Sequence, residues 1–384
     1  MENNIIKLTF TGDVMCKKKL LTDSCLNGKY DFSYIFDEIK SYFKNSYVIA
    51  NLETPIASED LGFTNESFIF NTPIEYIEAL KSNEVNMVTT ANNHCLDRGI
   101  DGLKDTIDAL EKVNLEHTGT YKTKKDSEKI FIKKFGRLKV AFLSYTYGTN
   151  AMVNHNYLDK NSNYVNLFRK QEKAYSKYRI IRGLNRRIFS KIKKDKFSQK
   201  RDSFYLNKML EQIKQAREES DIVIMCMHSG GQYNKVVEPY TKKLSEYLID
   251  NGVDYVVGNH PHVVLDSKKY KNKFIAYSLG NFITVPYANP NQKDNYPDYS
   301  ILLNFYLNTA TKKMTKITFS VARTIYNKEN KLQVIPVFKL MNSLDGKDKE
   351  KLIEETKHIV YKFSKIKTSE ILEEYIIEGD DDEQ

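Results

Sequence analysis

Tryptophan is absent from the 384 residues, and cysteine is scarce. The four cysteines, Cys16, Cys25, Cys95 and Cys226, form no Cys-x-x-Cys pair and no regular spacing. That arrangement excludes a disulfide framework and reads as the reduced thiols of a cytoplasmic protein. Long apolar runs are missing too: no window approaches the roughly 20 apolar residues needed to span a bilayer. The opening MENNIIKLTF lacks a basic segment followed by an apolar stretch of the secretory kind. A soluble, cytoplasmic chain without a membrane span is therefore expected. Histidine is used sparingly, with seven in the whole chain.

What is present is typical of a globular protein, at 41% hydrophobic and 28% charged residues. Its aromatic bulk comes from 26 Tyr and 20 Phe. The length allows one large domain or two ordinary ones. A formal net charge of +9 implies a surface that attracts anions.

Several short apolar runs each end in a polar cluster. Ile5–Phe10 runs into Thr11-Gly12-Asp13, Tyr47–Ala50 into Asn51-Leu52-Glu53, and Val85–Thr90 into Ala91-Asn92-Asn93-His94. Ile222–Met227 meets His228, and Val253–Val257 meets Gly258-Asn259-His260-Pro261-His262. Such runs read as buried strands. Helical patterns lie between them at Ile74–Lys81, Gly102–Lys112, Asn207–Glu219 and Tyr240–Asn251, which is the grammar of an α/β sheet. Further on, Tyr299–Tyr306, Lys313–Ile325 and Leu332–Phe338 alternate as antiparallel strands, and Lys347–Ile377 has helical spacing before the acidic tail Glu378–Glu383.

Ligands collect at the carboxyl ends of strands in open α/β sheets. Taken singly, Asp13 is a turn residue, Asn93 a helix N-cap and His228 a strand terminus. Together, Asp13, Glu53, Asn93, His228, His260 and His262 form one set of candidate metal ligands. Carboxylate, amide oxygen and imidazole suit Zn, Mn or Fe. With no cysteine among the candidates, a closed structural zinc site is disfavoured. Six ligands exceed one tetrahedral ion and suit two ions sharing a bridging carboxylate, an arrangement that serves phosphoryl displacement. His94 is then left over as a general acid. Asp97 either orients it or caps the next helix, and Arg98 is a surface cation or a holder of an anionic substrate. From Lys160 to Arg201 the chain is strongly basic, read either as a solvated helical insert or as a polyanion-binding surface.

The stretches FTGDVM, ANLETPI, TTANNHCLDRGIDGL, MHSGGQYN, GNHPHV and IAYSLGNFI resemble, in order and spacing, the CapA (PGA_cap) family of bacterial capsule and poly-γ-glutamate synthesis proteins, a branch of the calcineurin-like metallophosphoesterases. The resemblance implies a four-layer α/β/β/α sandwich. It places Asp13, Glu53 and His262 on one metal, and a bridging Glu53 with Asn93, His228 and His260 on a second. His94 becomes the catalytic histidine, while Ser278, Gly280 and Asn281 line the site or form a turn. Residues 1–340 would be the CapA-like domain, with the basic insert at 160–201, and residues 341–384 a C-terminal helical extension. Two departures stand out. Met15 replaces the histidine of the superfamily's Asp-x-His, and HSGGQY replaces the family's His-Trp-Gly-x-Glu-Tyr.

The expectation is a metal-dependent phosphoesterase-type hydrolase holding one or two divalent ions (Mn, Zn or Fe). Its partners would be an anionic small molecule or polymer, a phosphoester or polyglutamate, and the capsule-synthesis machinery. The alternative is a non-catalytic assembly factor that binds an anionic polymer. Nucleic-acid binding through the basic insert is the weakest reading.

Overall fold

The computed structural model describes residues 4–65, 68–159, 162–171, 197, 199–286 and 295–379. Most of the basic insert, residues 172–196 and 198, and the end of the acidic tail, residues 380–384, lie outside them.

Two sheets stack face to face. The chain begins with β1 (Ile5–Val14), passes the short hairpin β2 (Cys25–Leu26) and β3 (Lys29–Tyr30), and returns beside β1 as β4 (Ser46–Leu52), β5 (Val85–Thr89) and β6 (Glu116–Thr118). The second sheet contains β7 (Phe131–Phe135), β8 (Leu138–Thr146), β9 (Ile222–His228), β10 (Tyr255–Asn259), β11 (Ser267–Tyr270) and β12 (Lys273–Ala276). The chain then recrosses to the first sheet as β13 (Asn281–Ile283), β14 (Tyr299–Asn308), β15 (Lys313–Tyr326), β16 (Leu332–Pro336) and β17 (Tyr375–Gly379). The first sheet runs β16-β15-β14-β1-β4-β5-β6, with β13 added parallel to β1 and β17 antiparallel to β15. The second runs β11-β12-β10-β9-β8-β7, with β8, β9, β10 and β12 parallel.

Strand side chains alternate between faces, and here both faces are apolar. Leu8, Phe10, Ile49 and Met87 of the first sheet meet Val140, Phe142, Ile224 and Phe274 of the second in a shared interior. Across that interior the Phe10 and Phe142 rings lie 6.4 Å apart. The alternate residues Val48, Ala50 and Val88 face the helix Glu75–Ser82 through Tyr76, Ile77 and Leu80. On the far side Ala141, Val223 and Met225 pack on Met209 and Ile213 of Gln199–Glu219 and on Leu244 and Leu248 of Pro239–Asp250. The layers are therefore α/β/β/α, in agreement with the sandwich that the sequence resemblance implies.

Two expectations change at the C-terminal end. The strand read over Leu332–Phe338 stops at Pro336, where Val337–Asn342 turns helical. The helical spacing read over Lys347–Ile377 holds only for Gly346–Ser364, because Lys365 adopts a left-handed backbone (φ 64°) and ends the helix. Ile371 and Tyr375 keep an apparent helical interval but reach the interior from a loop and a strand, and Tyr375 stacks on Phe319 at 5.0 Å. Leu352, Ile359, Val360 and Phe363 of the helix join the same interior as both sheets.

Candidate metal centre

The strands deliver their polar residues to one place because both sheets end there. Asp13 lies near the end of β1, Glu53 follows β4 and Asn93 follows β5; His228 closes β9, and His260 and His262 follow β10. Gly12 lets β1 approach closely: a Cβ there would sit 2.0 Å from the Gly280 carbonyl oxygen. Gly258 does the same on the second sheet, where a Cβ would sit 2.2 Å from the Tyr277 carbonyl oxygen. His260 (φ 103°) and His262 (φ 58°) take left-handed backbone on either side of Pro261. Non-glycine residues carry that conformation at a cost and mainly where function requires it. Here it brings both rings to Glu53.

The structure brings all six candidates together in the interior, none more than 2% exposed. Glu53, His228 and His260 each offer a ligand atom within 4.8 Å of the others, and so do Asp13, Glu53 and His262. Glu53 is common to both groups. Nε2 of His228 lies 2.6 Å from Asn93 Oδ1 and 3.5 Å from Glu53 Oε1. His262 lies 3.1 Å from Asp13 Oδ2 through Nδ1 and 3.7 Å from Glu53 Oε1 through Nε2. The backbone N–H of His260 donates to Asp13 Oδ2 (3.2 Å), tying the two sheets together at this point.

The electrostatics describe a site short of positive charge. Both oxygens of Glu53 are buried with no hydrogen-bond partner among the described residues. Burial, then the neighbouring Asp13, pushes its carboxyl up to about 8. Burial also acts to raise Asp13, but the hydrogen bond and charge of His262, with His228 and Asn51, outweigh it and hold that carboxyl below its ordinary value. Burial lowers His228 to about 4 and His260 well below the usual imidazole range, so both rings are neutral. Neutral imidazoles around an unsatisfied buried carboxylate are what a divalent cation requires of its ligands. The residues fit a metal, and this group could hold one.

His94 and Asp97 stand beside this group. His94 Nδ1 lies 2.6 Å from Asp97 Oδ2, and the Phe70 N–H donates to the same oxygen (2.8 Å). Asp97 thus contacts His94, while Arg98 takes the N-cap position of the helix Gly99–Lys112. The Phe70 ring packs 4.3 Å from the His94 ring. The Arg98 guanidinium donates to the Phe63 carbonyl at 3.5 Å.

Three contributors escaped the sequence reading or lacked a role in it. Asn51 donates to Asp13 Oδ1 (2.8 Å) and lies 3.3 Å from His228 Nδ1; its place two residues before Glu53 on the same strand end was the available signal. Asn281 sets His262, with Oδ1 3.0 Å from Nδ1 and Nδ2 donating to the His262 carbonyl (3.0 Å). Tyr147, just beyond β8, packs its ring 4.8 Å from His260, and no motif marked it. Ser278 belongs to the turn: its hydroxyl donates to the Val263 carbonyl and accepts from the Gly280 N–H.

Residues 7–285 match the family described as Bacterial capsule synthesis protein PGA_cap. The chain belongs to this family. Among similar curated proteins, "Capsule biosynthesis protein CapA" of Bacillus anthracis is 27% identical over 73% of this chain and 60% of its own length. "PGA biosynthesis protein CapA" of Bacillus subtilis (strain 168) is 24% identical over 73% of this chain and 64% of its own length. The chain thus spans somewhat under two thirds of these relatives. Among solved structures, a crystal structure of a novel phosphatase from Mycoplasma pneumoniae covers 83% of this chain and 93% of its own, with a TM-score of 0.40 and 16% identity. A hypothetical protein from Thermus thermophilus covers 82% of this chain and 98% of its own, with a TM-score of 0.41 and 14% identity. In this PGA_cap chain Met15, two residues after Asp13, is buried at 4% exposure. Among the described residues, no helix is long and apolar enough to cross a membrane.

Proposed function

We propose that this PGA_cap protein is a metal-dependent hydrolase of the phosphoesterase type, acting in capsule or poly-γ-glutamate synthesis. The observation that carries the reading is Glu53, a buried carboxylate without hydrogen bonds among the described residues that belongs to two adjoining ligand groups. Asp13, Glu53 and His262 would hold one divalent ion (Mn, Zn or Fe), and Glu53, Asn93, His228 and His260 a second. Bound there, a divalent ion supplies Lewis acidity, polarising a phosphoryl oxygen and lowering the pKa of water.

The remaining work falls to the chain's own residues. Asp97 Oδ2 accepts a hydrogen bond from the Nδ1–H of His94, which fixes the tautomer and the orientation of the ring. Nε2 of His94 is then the proton donor to a departing oxygen. Phe70 and its N–H hold the pair in place. Asn51 and Asn281 orient Asp13 and His262 as outer partners.

The test is to purify the protein, measure bound metal, and follow phosphomonoester and phosphodiester substrates with Mn²⁺. Protein that takes up no metal, or a His94→Ala variant that keeps full activity, defeats the assignment. The second reading is a non-catalytic factor that binds an anionic polymer such as polyglutamate. It is favoured by the net charge of +9 and by Met15, which leaves one ion with a poorer ligand set. Steeply salt-dependent polyglutamate binding with no ester turnover would select it.

A further inference from the structure

Two tyrosines lean on the two histidines that flank Pro261. Tyr147 follows β8, and its ring lies 4.8 Å from that of His260. Tyr233 lies in the loop after β9, and its ring lies 5.5 Å from that of His262. The backbone fixes each of them to a ligand motif. The Tyr147 N–H donates to the His228 carbonyl (3.2 Å), and the Tyr233 N–H donates to the Pro261 carbonyl (2.8 Å). Tyr233 takes left-handed backbone (φ 59°), and its carbonyl accepts from Asn295 Nδ2 (2.7 Å). A bulky residue carries that conformation at a cost, and such strain clusters at sites of function.

His260 and His262 are 1% and 2% exposed, whereas both tyrosines are only half-buried. Each tyrosine thus reaches from a buried imidazole towards the surface. Neither hydroxyl makes a hydrogen bond among the described residues. A phenol keeps its proton at neutral pH and so offers a donor. The Arg169 guanidinium lies 5.5 Å from the Tyr147 ring and 5.4 Å from that of Tyr240, which places a positive charge beside one of the two phenols. Donors and a cation at the edge of a site fit for divalent ions are the groups that a negatively charged oxygen needs.

We infer that the hydroxyls of Tyr147 and Tyr233 hold an oxyanion of the ligand at the metal centre, whether a phosphate oxygen or a carboxylate. This rests on the metal-centre reading above. The two rings steady the imidazoles by contact, and the two hydroxyls bind the anion. Phenylalanine separates these roles, because it keeps the ring and removes only the donor. Both tyrosines are binding residues here, distinct from the metal ligands and from the His94–Asp97 pair.

The experiment uses the full chain loaded with Mn²⁺. Mn²⁺ affinity and the affinity for inorganic phosphate, and separately for a short γ-linked glutamate oligomer, are measured for wild type, Tyr147→Phe, Tyr233→Phe and the control Tyr361→Phe, an exposed position on the helix Gly346–Ser364. Mn²⁺ affinity should stay within twofold of wild type in all four, which also reports that each variant is folded. Tyr147→Phe and Tyr233→Phe should each bind the same anion about tenfold more weakly, about 1.4 kcal/mol. Tyr361→Phe should match wild type. The anion that responds identifies whether phosphate or carboxylate is held. Wild-type protein that takes up no Mn²⁺ would overturn the metal-centre reading and this inference together. Mn²⁺-loaded wild type that binds neither anion, or either Phe variant within twofold of wild type for both anions, would overturn this inference alone. So would a Phe variant whose Mn²⁺ affinity falls as far as its anion affinity, since the hydroxyl would then act on the metal ligands.

Discussion

Glu53 offers an unusual expectation: removing a buried, central residue should stabilise the metal-free protein. Its carboxylate oxygens have no hydrogen-bond partner among the described residues, and the charge of Asp13 acts against its own. A buried polar group left unsatisfied costs about 1–3 kcal/mol, and more when charged. Glu53→Gln keeps the shape and removes the charge. Unfolding entropy of about 2.1 cal/mol/K per residue amounts to roughly 0.8 kcal/mol/K for 384 residues, so each kcal/mol moves Tm by about 1 °C. In EDTA the variant should therefore melt about 1–4 °C above wild type. The sign depends on pH in a defined way. The folded-state carboxyl is pushed up to about 8, so the penalty is absent below the ordinary carboxylate range, grows as pH rises, and is complete above about 8. The advantage of Glu53→Gln should thus be larger at pH 9 than at pH 5. Adding Mn²⁺ at about a hundredfold over Kd should raise wild type by about 2.7 kcal/mol, or about 3 °C, and the variant by little, which removes most or all of the variant's advantage. Differential scanning calorimetry with and without EDTA makes the comparison. Metal-free Glu53→Gln protein less stable than wild type at pH 9, or a Mn²⁺ shift that survives the substitution, would refute the reasoning.

Other outcomes follow from the same geometry. His94→Ala should retain metal while lowering ester hydrolysis by about 10²–10⁴-fold, and Asp97→Asn should lower it in the same direction by disturbing the tautomer; metal analysis and steady-state rates check both. Asn281→Ala should weaken metal affinity about 10–100-fold by releasing His262, as read by titration with a competing chelator. Native protein should give one rapidly reacting thiol with a disulfide reagent. Cys25 is exposed, whereas burial pushes Cys16, Cys95 and Cys226 up to about 12; unfolding in urea should release those three.

How much of this could be read from residues alone depends on the range of the interaction. Apolar runs ending in Asp13, Glu53, Asn93, His228 and His260 are local signals, because a strand buried on both faces must be apolar and its end is where polar atoms first find room. These runs, with the helices between them, determined the α/β class and the candidate ligands, whereas the four-layer arrangement followed from the family resemblance. The C-terminal end misled for a physical reason. Ile371 and Tyr375 keep a helical interval, but the left-handed turn at Lys365 and the pairing of β17 with β15 override it.

Only the tertiary structure decided the rest, since the side chains concerned come from sequence positions far apart. Whether Asp97 meets His94 or caps a helix depends on where the loop carrying Phe70 lies. That Asn51 supports Asp13 and Asn281 supports His262 depends on register between β1, β4 and β13. The unmet hydrogen bonding of Glu53 among the described residues is a property of burial, which no residue possesses until the two sheets close over it.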